Sequence, residues 1–450
     1  MPVLIEISLL LLIALVIRLG FIFIVPMVEA PDEFAHYWVI KFLTEHLRLP
    51  TAQEVFAGGP SAVYGPLPQL GYLPHALFSS LNSSEYISLF GRFGSLLMGL
   101  ILITIAYFTG KEIFPQKRHL ALALPIIMIF HPQLAFVHSY ANVDATTITL
   151  SGLALYLTIL QIKYGLSYKR TFATGITCGA MALCKYNAGA IFPSIFTGIL
   201  AAGIIHGTTL ITIASHFLAI GVLMIAMSAW WFVRNLSQYP GDMLGTKTMY
   251  KIWAETFHRE MNYYQTPWQI IKEKRWWRTV FFSFWGLFGY MNKYMPRPLY
   301  ITYLVFFIGS VAGLINNLLG IVNNLFSKTP ESSQTSIAKQ HPIITNTKSY
   351  LKSSTFMVWL IMFISIATNC AAMIYASTLN LGGPQGRYFF TSEIPLIAFL
   401  ILGLSSLGEK IKGEKLGKQF VLGFCIYNAI TCLIAWGMLF SLYGFHAKPY

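Results

Sequence analysis

VLIEISLLLLIALVIRLGFIFIV at residues 3–25 and PDEFAHYW at residues 31–38 stand almost back to back near the start of the chain. The first stretch is long enough, at about 1.5 Å per residue, to cross roughly 30 Å of hydrocarbon as a helix. It is too long for a signal-peptide core and no Lys or Arg precedes it, so it reads as an uncleaved first span. The second stretch therefore lands just past a membrane surface. From Glu33 to Leu47, Phe34, Trp38 and Phe42 recur at four-residue spacing with polar residues between them, which suits a helix lying along that surface.

The rest of the chain agrees with a membrane protein. Of 450 residues, 55% are hydrophobic and 11% charged, less than half the usual charged share of about 25%. That excludes a water-soluble surface. Further apolar runs of spanning length occur at 86–109, 119–138, 145–162, 171–184, 189–206, 210–233, 299–324, 354–378, 393–408 and 419–441. The expected fold is an all-α polytopic membrane protein, one domain over residues 1–450 with about eleven transmembrane helices. The aromatic stretch from Val280 to Tyr290 is short for a span and reads as re-entrant or interfacial. The five cysteines, Cys178, Cys184, Cys370, Cys425 and Cys432, lie in apolar runs and read as packing residues.

Basic residues set the expected sidedness. Lys111, Lys117 and Arg118, then Lys163, Lys169 and Arg170, then Lys410, Lys412, Lys415 and Lys418 occupy short loops on one side of an alternating path. The loop 325–353, with Lys328, Lys339, Lys348 and Lys352, falls on that side too. By the positive-inside rule this side, with the N-terminus, is expected to be cytoplasmic; the expected location is the cell (inner or plasma) membrane. The long loops 27–85 and 234–298 are then extracytoplasmic, as are the links holding Asp144 and Arg387.

The net charge of +14 is only partly explained this way. The outer face keeps Arg234, Lys247, Lys251, Arg259, Lys272, Lys274, Arg275, Arg278, Lys293, Arg297 and Arg387, where an anionic ligand accounts for cations that topology does not. Nucleic acid is not implied. Arg18, Arg92 and Lys185 lie inside or at the ends of spans, toward the outer face, and read as facing a polar cavity or as snorkelling residues.

Three features carry candidate chemistry. Asp32, Glu33 and His36 fall within one helical turn and suit a general base with an orienting partner or a divalent-metal site, although Asp32 equally suits a plain helix cap. Tyr64-Gly65-Pro66-Leu67-Pro68-Gln69-Leu70-Gly71-Tyr72-Leu73-Pro74 is a rigid aromatic loop that suits stacking on a sugar ring or simple packing. Asp144, in Asn142-Val143-Asp144-Ala145, opens a span as a lone carboxylate, for function or for capping.

With Gly91-Arg92-Phe93, Ala182-Leu183-Cys184-Lys185-Tyr186, Trp230-Trp231-Phe232-Val233-Arg234-Asn235 and Gly386-Arg387-Tyr388-Phe389-Phe390, these features resemble the GT-C class of membrane glycosyltransferases. That class includes protein O-mannosyltransferases and the aminoarabinose transferases of lipid A. The likeness is nearest to an uncharacterised bacterial branch with a Pro-Asp-Glu…His loop and a Gln-Gly-Arg-Tyr ending, here Gln385 to Tyr388, and it runs along nearly the whole chain. It implies a GT-C-like fold with a juxtamembrane helix in the first outer loop. It also implies transfer of a sugar from a polyprenyl-phosphate carrier to a glycan, lipid or protein acceptor on the outer face, with inversion.

The chemistry of such a donor assigns expected roles. Asp32 is the expected base, with Glu33 or His36 orienting it or holding a divalent metal. Lys185, Arg234, Arg387 and Arg92 are the expected cations for the donor phosphate. Tyr64, Tyr72, Asp144 and Tyr388 are expected near sugar or acceptor. No glycine-rich phosphate loop is present, which suits a lipid-linked donor. A transporter or flippase of lipid-linked saccharides would use similar cations, but it predicts internal repeats and polar residues at mid-depth, and neither is seen. A scaffold of a cell-envelope complex is a third reading.

Overall fold

The computed structural model describes residues 3–27, 29–82, 86–258, 265–326, 353–378 and 384–446. The expected cytoplasmic loop 325–353 falls almost wholly outside the described residues, as does Arg259. The described residues are helical nearly throughout. The helices in the first half are α1 (Val3–Ile24), α2 (Glu33–His46), α3 (Ala52–Gly58), α4 (Leu73–Ser79), α5 (Ile87–Ile113), α6 (Arg118–Phe130), α7 (Pro132–Val137), α8 (Asp144–Tyr164) and α9 (Tyr168–Ala182). There follow α10 (Phe192–Ile205), α11 (Leu210–Gln238), α12 (Thr246–Phe257), α13 (Pro267–Lys272), α14 (Lys274–Trp285) and α15 (Arg297–Phe326). The chain closes with α16 (Ser354–Ala376), α17 (Glu393–Lys412) and α18 (Glu414–Tyr443). Two-residue strands, Leu287–Phe288 and Lys293–Tyr294, pair antiparallel between α14 and α15.

Among the described residues, nine helical segments are long and apolar enough to cross a membrane. The protein is an all-α polytopic membrane protein. The other two expected spans take the form of shorter helices. α6 stops at Phe130 because His131 is extended (φ −66°, ψ 110°) ahead of Pro132, which opens α7; the residue before a proline is driven out of the helical region. α9 has 15 residues and ends at Ala182, after which a 3-10 turn from Tyr186 to Ile191 leads into α10. The helix expected from Glu33 is present as α2. The aromatic stretch 280–290 divides between α14 and the small ladder.

The bundle has two chemically different ends. Lys163, in the last turn of α8, pairs with Glu112 at 2.5 Å, and Lys117 pairs with Glu409 at 2.6 Å, so three of the basic corners meet at one end. Asp144, the first residue of α8, marks the other end. Between them, small residues let helices close up: a Cβ on Gly313 of α15 would collide with the backbone of Gly403 in α17. Where no water separates lipid-facing helices, such close backbone approach is a main source of association.

Candidate active site

Asp32 starts α2 in a left-handed conformation, φ 60° and ψ 9°, and its side chain makes no capping hydrogen bond. A non-glycine residue in that region is uncommon and costs about 1–2 kcal/mol. The cap alternative thus has no bond to support it. The carboxylate turns instead to Arg387, whose Nη2 lies 3.3 Å from Asp32 Oδ2.

Arg387 reaches this point from a 3-10 turn, Gly386–Ser392, that leads into α17. Gly386 is wedged against the backbone of Val280 and Phe284, with no room for a Cβ, and its N–H donates to Ser283 Oγ at 2.7 Å. Fixed in this way, Arg387 donates from Nη1 to Tyr140 Oη at 2.6 Å, and its Nε lies 3.8 Å from Asp144 Oδ2. Asp144 Oδ1 accepts from Lys185 Nζ at 2.6 Å, and Lys185 Nζ sits 5.1 Å above the ring of Tyr388. Capping of α8 falls to Asn142, whose Oδ1 accepts from the Ala145 N–H, so Asp144 is free of that duty.

The four charges alternate along a line, Asp32, Arg387, Asp144, Lys185, and come from four distant parts of the sequence. The middle pair is buried, with side chains 5% exposed, while Asp32 at one end is 25% and Lys185 at the other 27% exposed. Solvent therefore reaches the terminal charges first. Asp144 Oδ2 and Arg387 Nε are buried and have no hydrogen-bond partner.

An aromatic wall borders this line. His36 Nδ1 lies 2.6 Å from Tyr72 Oη, and the imidazole stacks on Tyr64 with ring centres 4.6 Å apart. Burial pushes His36 well below the usual histidine range, so it is neutral, and raises Tyr64 and Tyr72 well above the usual tyrosine range. Asp144, Lys185 and Arg387 all act electrostatically on His36.

Other expected site residues are committed elsewhere. Glu33 and Arg92 form a fully buried bidentate pair at 2.7 and 2.8 Å, and Arg92 also donates to the carbonyls of Ile22, Val25 and Pro26. That uses all five guanidinium N–H groups and leaves none for a phosphate. Glu33 further accepts the N–H of Ala141. Arg234 lies over Trp231 and donates to the carbonyl of Pro50, outside the line of charges. Arg18 does not face an open cavity: it is wholly buried, bonds its own helix at Ala14, and leaves Nε and Nη2 without partners. The metal arrangement expected of Asp32, Glu33 and His36 does not form, because the three turn to Arg387, Arg92 and Tyr72 respectively. Among the described residues no group of three His, Cys, Asp or Glu side chains could hold a metal ion.

Tyr140 was not singled out from the sequence. It is 1% exposed, and Ser95 Oγ donates to its carbonyl at 2.6 Å while His75 Nε2 donates to Ser95 Oγ at 2.9 Å. Its place four residues before Asp144 is the one signal that could have drawn attention to it. A second buried pair, His131 Nδ1 with Glu393 Oε1 at 2.6 Å, was also missed; its anchor is His131 Nε2 donating to the Phe284 carbonyl at 2.7 Å.

No family model matches the chain, and no curated protein matches it. Among solved structures, the chain is similar to ArnT from Cupriavidus metallidurans bound to undecaprenyl phosphate, at 13% identity and a TM-score of 0.48, over 97% of this chain and 77% of that one. It is similar to the apo state of the same protein at 13% identity and a TM-score of 0.43, with the same coverage.

Proposed function

We propose that the protein is a membrane glycosyltransferase that moves a sugar from a polyprenyl-phosphate-linked donor to a glycan, lipid or protein acceptor on the extracytoplasmic face. The observation that carries this reading is the alternating line Asp32, Arg387, Asp144, Lys185 at the end of the bundle away from the basic corners. Two cations are held there by two carboxylates, and one member of each sign is open to the outside. A donor phosphate competes with those carboxylates for Arg387 and Lys185, and the 3.3 Å contact between Arg387 and Asp32 is long enough to exchange easily. The exchange releases the Asp32 carboxylate as a base.

The acceptor oxygen then attacks the anomeric carbon and its proton passes to Asp32. The bond from that carbon to the phosphate oxygen breaks, and the charge left on the phosphate is taken up by Arg387 and Lys185. A single displacement inverts the anomeric configuration. Tyr64, Tyr72 and Tyr388 supply ring faces for the sugar. The basic corners face the cytoplasm by the positive-inside rule, which puts the line of charges outside.

The test is incubation of the purified protein with a panel of polyprenyl-phosphate sugars and measurement of released polyprenyl phosphate. Sugar-dependent release supports the proposal. Movement of intact lipid-linked sugar across vesicles without release points to a flippase.

A further inference from the structure

A basic and aromatic shelf flanks the line of charges. Between residues 265 and 298 the chain carries Lys272, Lys274, Arg275, Arg278, Lys293 and Arg297 against a single carboxylate, Glu273. All six cations lie outside the ion pairs found among the described residues. All but the half-buried Lys293 are exposed, as are Trp268, Trp277 and Tyr294. Lys272 lies 4.8 Å over the Trp268 ring.

The shelf is two-faced. α14 buries Trp276, Val280 and Phe284, at four-residue spacing, and turns Lys274, Arg275, Trp277 and Arg278 outward. Its buried face packs beside Tyr388 and Phe389, Trp276 Nε1 donates to Ser377 Oγ at 2.9 Å, and Ser283 holds the Gly386 N–H. The shelf thus braces the turn that carries Arg387. Arg297 also opens α15, whose first 24 residues form a candidate span, so the shelf is continuous in the chain with the end of that span.

We infer that this shelf binds the anionic lipid headgroups of the surrounding leaflet and so holds the Arg387 turn in place. The regulatory half of this rests on the transferase reading; the binding half does not. Charge complementarity favours anions as the occupant, and continuity with a span places lipid headgroups within reach. Indole and phenol rings interleaved with cations suit the zone between headgroup and acyl chain, whereas a soluble polyanion would need the cations alone.

The experiment places the full-length protein in nanodiscs of phosphatidylcholine, with or without phosphatidylglycerol, and follows amide hydrogen exchange of residues 265–297. Near an anionic surface each cation strengthens binding about five-fold, so exchange should slow by at least about ten-fold in the anionic discs. Added salt should reverse the effect. The combined variant Lys272→Gln, Lys274→Gln, Arg275→Gln, Arg278→Gln should exchange at one rate in both discs. Equal exchange of the unaltered protein in both discs overturns the inference. So does protection by soluble polyaspartate with none from anionic lipid, which would assign the shelf to a polyanionic acceptor. Released polyprenyl phosphate is measured in the same discs: lipid protection without any release leaves the shelf standing and removes the transferase reading.

Discussion

Arg387 Nε and Asp144 Oδ2 face each other 3.8 Å apart, both buried and neither hydrogen-bonded. An unmade bond of this kind is costly in a low-dielectric site, so the pair is held by its neighbours rather than by its own geometry. Tyr140 and Asp32 fix the other end of the guanidinium, and Lys185 fixes the other oxygen of the carboxylate. The site is therefore already charged and dehydrated in its middle, the condition under which a fixed dipole or cation stabilises a departing anion most strongly.

Replacing Arg387 with Lys keeps the positive charge between Asp32 and Asp144 but removes the planar fork that meets Tyr140 and Asp32 together. The expected outcome is a loss of transfer of about 10²–10³-fold, the usual cost of one well-placed donor, with little change in thermal unfolding. The assay is release of polyprenyl phosphate beside a melting curve in detergent. Retention of full activity would remove Arg387 from the phosphate site.

Asp32 separates stability from function. Asp32→Gly relieves a left-handed backbone conformation at φ 60° and removes no capping bond, which offsets the loss of the 3.3 Å contact to Arg387, so the melting temperature should change little. Transfer should fall by about 10²–10⁴-fold if the carboxylate is the base. Asp32→Asn, which tolerates the same backbone, should behave alike in activity. A destabilised but active variant would return Asp32 to a structural role.

Glu33 and Arg92 should do the reverse. Breaking a buried ion pair by removing one partner typically costs about 3–5 kcal/mol, and loss of Arg92 also frees three carbonyls at the end of α1. Glu33→Gln and Arg92→Leu should lower yield and melting temperature strongly, while the folded fraction keeps near-normal transfer. Loss of activity per folded molecule at unchanged stability would put Glu33 in the chemistry after all.

The sequence discloses the helices because a long apolar run has few alternatives in lipid, and it discloses Asp32, Asp144, Lys185 and Arg387 because a charge at the edge of such a run is rare and expensive. It does not disclose who pairs with whom. Asp32 and Glu33 are adjacent acids, yet one meets Arg387 across 355 residues and the other meets Arg92 across 59. Arg92 and Arg387 both follow a glycine, so local sequence treats them alike, and only tertiary packing sends one to a staple and the other to the site. Tyr140 stays hidden for a different reason: it is one of 24 tyrosines, and a phenol in an apolar chain is ordinary until its partner is known.

The wall beneath the site predicts a pH dependence. Burial pushes His75 down from 6.5 to about 4 and holds His36 well below 6.5, so the folded protein keeps both neutral. In the unfolded chain both take up protons near pH 6.5. The unfolded state therefore binds more protons below that pH, and stability is fully present above it and is lost as the pH falls. For His75 the loss runs from about pH 6.5 to about 4, where the folded protein protonates too, and it should amount to a few kcal/mol. Melting temperature measured across this range should fall steadily in the natural protein and less steeply in His75→Gln. Identical slopes in the two proteins would show that the acid sensitivity arises elsewhere.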